Sequence, residues 1–381
     1  APFANRVADS DATVYRKLRD AGAVLLGKLS MIELAGGLGY HWANAAFNGA
    51  CVTPWDLTRW AGGSSSGAGS AVAAGLVGFA IGSETWGSIV CPSAFCGVTG
   101  LRPTYGLVSR AGTMALSWSF DKLGPICRTA FDTALVLNVI AGRDPLDPGS
   151  VEAPRDTGAV GAAGAAGARL KRFVVPADQK YDRDALDPIF DAATEVFRAG
   201  NATIDALNVP PLPLEPAAIA ILTADVQAAF ANVLASGQAR QLADKSHQEG
   251  KTMADSPAVS GALYVKALQV RRMAQAAADE IFAGCDAILT PNFYAPAPLV
   301  EKNIDEQLPW NDPLGALGAL AGLPALAFPA GFVGANPATK EKGLPISMIL
   351  IGKPFSEAKL VSLAAYFQQR TRFHLERPPH A

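Results

Sequence analysis

The residues best suited to chemistry lie between 61 and 92, AGGSSSGAGSAVAAGLVGFAIGSETWGSIVCP. A glycine and serine tract, Gly62-Gly63-Ser64-Ser65-Ser66-Gly67, leads through small apolar residues to a second turn, Gly87-Ser88-Ile89. Glycine turns present backbone N–H groups and serine offers a nucleophilic hydroxyl, so the pair is laid out for acyl transfer, with donors ready for an oxyanion. Two other readings fit the same residues. A glycine loop ahead of a helix can cradle phosphate, but GGSSSGAGS lacks the Gly-Lys-Ser/Thr ending that brings charge to the phosphates. The glycines can also serve close helix packing alone.

Several familiar chemistries are disfavoured. A serine, histidine and acid triad needs a histidine set against the serine, and His41, His247, His374 and His380 all lie away from the glycine turns. Ser88 is not in a G-x-S-x-G elbow, because Val90 stands where the second glycine would be. The cysteines, Cys51, Cys91, Cys96, Cys127 and Cys285, form no CxxC pair, and no histidine neighbours Cys91 and Cys96. No metal is expected, and isolated cysteines read as the reduced thiols of a cytoplasmic protein. With 17% charged residues, a net charge of -2 and no basic stripe, the chain is expected to have no nucleic-acid partner. Apolar runs are short or broken by glycine and proline, so no membrane span is expected.

The elements that must position these turns alternate helix and strand. Residues 8–21 predict an amphipathic helix with Val14 and Leu18 inward, ended by Gly22, and Ala23 to Gly27 predict a short buried strand. Residues 36–60 read as an ordered loop into the glycine tract, and 67–81 as a small-residue helix against a sheet. Residues 129–141 predict a helix capped by Thr129. An Ala/Gly-rich run at 152–168 reads as a linker or exposed loop. A strand near 173–175 and a helix over 184–199 follow, then two long helical stretches, the second with Ser256 as cap and Pro257 at its first position. Strands at 286–291, 325–329 and 346–351 precede a closing helix over 356–368 with Leu360, Leu363, Ala364 and Phe367 inward. Half of the 381 residues are hydrophobic, enough for a large α/β core.

Taken in order, the motifs resemble the amidase signature family. The resemblance rests on Gly62 to Gly67, Gly87-Ser88-Ile89, Pro92, Cys96-Gly97 and Gly100-Leu101-Arg102-Pro103-Thr104-Tyr105-Gly106. Upstream, Gly27-Lys28-Leu29-Ser30 with Glu33 fits as well. Downstream it is carried by Gly322-Leu323-Pro324-Ala325, Gly343-Leu344-Pro345 and Pro354-Phe355-Ser356-Glu357. It implies one α/β domain over 1–381, with a mixed central β-sheet covered by helices on both sides. Within it, 1–150 would carry the catalytic motifs, 151–284 a variable, substrate-shaping middle, and 285–381 the C-terminal part of the core.

The resemblance also implies a hydrolase for carboxamides, or related carbamates (urethanes) and esters, acting on C–N bonds other than peptide bonds through a Ser, cis-Ser and Lys triad without a cofactor. Ser88 would be the nucleophile and Ser64, after Gly63, the cis-serine that relays its proton, with Ser65 and Ser66 in support. The N–H groups of Thr85, Trp86, Gly87 and Ser88 would form the oxyanion hole. The family's lysine stands in an earlier apolar strand than the motif holding Lys28, so the base is not carried onto Lys28. It is expected upstream of Ala1, where the chain's start reads as the middle of a domain.

Where the family commonly has Asp-Thr-Gly-Gly-Ser-Ile-Arg, this chain has Glu84-Thr85-Trp86-Gly87-Ser88-Ile89-Val90. The indole of Trp86, with Trp118 and Phe120, predicts an apolar or aromatic substrate pocket. The expected partner is a small amide or carbamate, and a homodimer is left open. One alternative is the glutaminase subunit of a tRNA-dependent amidotransferase, which would need polar groups for the charged ends of glutamine. The other is a catalytically inactive relative acting as a binding protein.

Overall fold

The computed structural model describes residues 2–152, 164–308, 311–335 and 342–381. A small hairpin, Val52–Thr53 (β1) and Asp56–Trp60 (β2), stands apart from an eight-stranded sheet. The order across that sheet is Phe79–Glu84 (β3), Lys122–Cys127 (β5), Thr99–Arg102 (β4), Ala325–Val333 (β9), Leu344–Ile351 (β10), Ala287–Pro291 (β8), Arg169–Phe173 (β6) and Thr203–Leu207 (β7). Neighbours from β3 to β8 are antiparallel. The pairs β8/β6 and β6/β7 are parallel, which makes the sheet mixed.

The central strands are apolar at almost every position because both faces are covered. Along β9, Leu326 and Phe328 join one core cluster while Ala325 and Ala327 join another, as side chains on a strand point alternately to opposite faces. The first cluster is completed by helices Thr13–Asp20 (α1), Ala130–Ile140 (α4), Arg183–Ala199 (α5) and Glu357–Arg370 (α11). The second is completed by Leu214–Ala229 (α6), Gly261–Ala283 (α9) and Pro313–Ala321 (α10). Short helices Ala231–Ala235 (α7) and Lys245–Glu249 (α8) lie between α6 and α9 in the chain. The helices that carry the serine turns, Ser66–Ala73 (α2) and Val90–Cys96 (α3), share a third cluster with Ala80 and Ile126.

The closing helix matches its periodicity, with Leu360, Leu363, Ala364 and Phe367 all fully buried. Thr129 caps α4 by accepting from the Asp132 N–H at 3.0 Å. Other elements differ from expectation. The first helix begins only at Thr13. Residues 23–27 form no strand, and Val24 and Leu26 are 81% and 74% exposed; no strand among the described residues lies beside them. A period-free apolar run takes up β structure only where a neighbour satisfies its backbone. The small-residue helix stops at Ala73, where Gly75 (φ 76°) turns the chain, and β3 takes over at Phe79. Ser260, not Ser256, caps α9, accepting from the Leu263 N–H at 3.2 Å; Ser256 instead closes a preceding 3-10 turn. Most of the Ala/Gly run at 152–168 lies outside the described residues.

Two stability changes follow from this packing. Thr129→Ala removes the cap and is expected to lower unfolding stability by about 1 kcal/mol. Phe328→Ala empties a fully buried site beside Phe367, whose ring centroid is 4.9 Å away, and is expected to cost ~3–5 kcal/mol. Urea unfolding of both variants against the unaltered chain measures the order; equal losses would contradict it.

Candidate active site

The two serine turns meet through the backbone. The Ser65 N–H donates to the Ser88 carbonyl at 3.3 Å, which brings the start of α2 against the turn before α3. Gly62 has φ 84°, and a Cβ there would lie 2.7 Å from Pro92 Cα. At Gly63 a Cβ would lie 2.6 Å from the Trp60 ring at the end of β2, so the tract must be glycine to pass between α3 on one side and that ring on the other. The Gly63–Ser64 peptide bond is cis. Residues 30–32 brace the tract from outside, with the Ile32 N–H donating to the Ser64 carbonyl at 3.0 Å and the Gly67 N–H to the Ser30 carbonyl at 2.7 Å.

The individual hydroxyls differ in surroundings. Ser64 Oγ and Ser66 Oγ are buried with no hydrogen-bond partner among the described residues. Ser65 Oγ clips onto one residue of β3, accepting from the Ser83 N–H at 3.1 Å and donating to the Ser83 carbonyl at 3.2 Å. Ser88 is half-buried. Lys28 is exposed, which does not suit a buried base.

The turn Thr85 to Ser88 is held at both ends. Below it, the buried Glu84 carboxylate accepts from the N–H groups of Ile89 (2.7 Å) and Val90 (3.0 Å), and from Arg102 Nη1 (2.8 Å). Burial opposes the charge of Glu84, but Arg102 and Lys122 and these hydrogen bonds outweigh it and hold the carboxyl below its usual range. At the other end, Thr85 Oγ1 donates to Asp121 at 2.6 Å and the Thr85 carbonyl accepts from Lys122 Nζ at 3.3 Å. Gly87 has φ 91°, and its carbonyl accepts the Cys91 N–H at 2.7 Å, opening α3.

A cavity of about 250 Å³ opens beside these turns, lined by Gly63, Trp86, Gly87, Val90 and Cys91 from the serine stretch. The aromatic walls come from Tyr40, Trp60, Trp86, Phe173, Phe293 and Tyr294. Polar groups reach it from Arg102, Asn292, Asp305, Asn311 and Asp312. Burial pushes the Cys91 thiol up to about 12, so it offers no competing thiolate. Trp86 donates from Nε1 to Asp312 Oδ2 at 2.9 Å, and Asp312 Oδ1 accepts from the Gly315 N–H at 2.8 Å, capping α10. Burial raises the Asp312 carboxyl despite these bonds.

Of the residues expected to line an aromatic pocket, only Trp86 does. Trp118 is 59% exposed and rests on Arg110 in a separate shallow hollow, and Phe120 is sealed in the core under Arg271. Neither reaches the cavity because Asp121 and Lys122, which follow them, turn the chain into β5. Tyr40, Phe293, Tyr294 and Asp312 were missed. Asp312-Pro313 signals a helix start and Phe293-Tyr294 follows a strand end, but neither signal points to the cavity.

Known proteins now bear on this geometry. The amidase family model matches residues 2–361. Curated relatives include a glutamyl-tRNA(Gln) amidotransferase subunit from Carboxydothermus hydrogenoformans, 36% identical over 405 residues, covering 98% of this chain and 80% of that protein. The corresponding protein of Moorella thermoacetica is 35% identical over 414 residues, covering 99% and 80%. Among solved structures, the native peptide amidase of Stenotrophomonas maltophilia superposes with a TM-score of 0.82 at 31% identity, covering 97% of this chain and 78% of that one. The relatives carry the name of the amidotransferase alternative, and they overturn the expectation that nucleic acid plays no part. A net charge of -2 tests only electrostatic grip by this chain's own surface; it does not speak to the roles of relatives named for a tRNA. With a family model spanning nearly its whole length and the expected mixed sheet beneath helices on both faces, the chain belongs to the amidase family.

Proposed function

We propose that this protein cleaves a carboxamide C–N bond through an acyl-enzyme on Ser88. Ser88 Oγ attacks the carbonyl carbon and passes its proton to Ser64 and on to a base. The carbonyl oxygen, now negative, takes hydrogen bonds from the turn Thr85 to Ser88. The C–N bond then breaks, the amine or ammonia leaves with the proton, and water hydrolyses the Ser88 ester. The observation that carries this reading is the docking of the two serine turns on one cavity: Ser65 N–H on the Ser88 carbonyl, with Gly63, Trp86 and Gly87 in the lining.

On substrate, the cavity favours a neutral, apolar or aromatic acyl group, as an amide or carbamate. Its walls are largely apolar, with aromatic rings from Tyr40, Trp60, Trp86, Phe173, Phe293 and Tyr294, and both oxygens of the Asp312 carboxylate are engaged by Trp86 and Gly315. The second reading is the glutaminase subunit of a tRNA-dependent amidotransferase. The relatives at 35–36% identity favour it by name; the engaged carboxylate weighs against an amino-acid substrate.

A fluorophosphonate probe is expected to label the protein at Ser88, with Ser88→Ala losing labelling by on the order of a thousandfold or more and Ser64→Ala slowing it without moving the site. Labelling at another residue would end the acyl-enzyme reading. Trp86→Gly frees the Asp312 carboxylate and removes a wall, so the ratio of kcat/KM for glutamine over a neutral aromatic amide is expected to rise about tenfold or more. If glutamine is already hydrolysed by the unaltered protein in preference to aromatic amides, and a second protein chain co-purifies, the amidotransferase reading takes precedence.

A further inference from the structure

Lys122 opens β5 with its side chain 2% exposed, and it does not line the cavity. Its Nζ donates to two backbone carbonyls, those of Thr85 at 3.3 Å and of Phe120. Among the described residues no carboxylate accepts a hydrogen bond from it. Glu84, opposite it in register on β3, is taken by Arg102 and the N–H groups of Ile89 and Val90. Asp121 is taken by Thr85, Leu116 and Ser117. A buried amine bonded only to neutral carbonyls is an expensive way to fill space, which a leucine or methionine would fill without desolvating a charge.

The geometry gives it a use. The Thr85 carbonyl and the Trp86 N–H belong to one planar trans peptide and point in opposite directions. Drawing the carbonyl back towards β5 therefore turns the N–H away from β5, and the two residues that follow, Trp86 and Gly87, line the cavity. Asp121 holds the side chain of the same threonine, so neighbouring residues of the chain grip Thr85 at both its hydroxyl and its carbonyl. A cation at the carbonyl also polarises the peptide and makes its N–H a stronger donor.

We infer that Lys122 is a positioning residue for the oxyanion loop: by holding the Thr85 carbonyl it aims the Trp86 N–H at the substrate's carbonyl oxygen. The inference rests on the reading of Ser88 as nucleophile. The groups facing Lys122 are Glu84 from β3, Arg102 from β4, Arg271 from α9 and Asp121 beside it. Burial, then repulsion by Arg102, brings it down to about 7 against the attraction of Glu84 and Asp121. It is an ammonium below that pH and a neutral amine above it, so the contribution of its charge is lost as pH rises through about 7.

The test compares Lys122→Met and Lys122→Gln with the unaltered protein in fluorophosphonate labelling and in deuterium exchange over residues 83–90. Lys122→Met is expected to lower kinact on the order of 10- to 100-fold with KI little changed. Lys122→Gln, which keeps a donor for the Thr85 carbonyl, restores part of the loss. The component of kinact that falls through about pH 7 disappears in both. Exchange over 83–90 rises about tenfold in Lys122→Met, a readout independent of whether the site labels. Folded variants with unchanged kinact and unchanged exchange, or with the whole effect in KI, overturn the inference. Should Lys122→Met not fold, Lys122→Gln carries the same comparison. Labelling away from Ser88 in the unaltered protein would instead sink the nucleophile assignment, leaving the exchange result to decide whether Lys122 holds the loop.

Discussion

A buried carboxylate at the end of β3 sets the shape of the site. Glu84 ties the N–H groups of Ile89 and Val90 to the strand that leads into the turn, closing the chain on itself around Thr85 to Ser88. A carboxylate without water is tolerated only when its charge is matched, and Arg102 supplies the match while reaching on to the Leu323 carbonyl at 3.1 Å. One ion pair thus joins the serine turn to β4 and to the residues after α10. Because Glu84 lies below its usual range in the folded protein, its stabilisation is present above the unfolded carboxyl's value near 4.5 and is lost as pH falls through the folded one. The geometry of the turn and the charge beneath it are one construction.

That construction explains why the turn accepts an indole. The donors of an oxyanion hole are backbone atoms, so a side chain can change at position 86 without removing any of them. What changes is the cavity. The Trp86 ring reaches Asp312, and a Cβ on Gly315 would lie 2.6 Å from its Nε1, so the start of α10 leaves room for the ring to settle. One of the polar groups that reach the cavity, Asp312, becomes an anchor for an apolar wall. On the proposed reading, backbone donors and the Trp86 side chain have separable roles, as fits a fold on which chemistry is grafted at sites.

How much of this was legible in the sequence follows from what each feature depends on. The serine turns, the cap at Thr129 and the closing helix depend on local backbone demands, and local residue types reported them. The strand expected at 23–27 failed because apolar composition says a segment wants cover, not that a neighbour provides it. The cap of α9 slipped from Ser256 to Ser260 because two serines within one turn both satisfy the capping pattern, and only the N–H they meet decides. The cavity was legible in one residue, Trp86. Trp118 and Phe120 stand just before β5, and that strand carries them away from the cavity.

The cluster of Glu84, Arg102 and Lys122 was the least legible part, although all three residues stand in stretches that draw attention for other reasons. Each lies on a different strand, and adjacency across a sheet has no trace in one sequence. The glycines make the complementary point. Packing and chemistry were set against each other as readings of Gly62 and Gly63, yet the two do not exclude one another: a Cβ on Gly62 would strike Pro92, and a Cβ on Gly63 would strike Trp60. The close approach they permit is what brings Ser65 within reach of the Ser88 carbonyl. Tight packing of the glycine tract between Pro92 of α3 and the Trp60 ring of β2 is therefore the means by which the two serine turns are brought together, and a larger residue at either glycine would displace the tract from that slot.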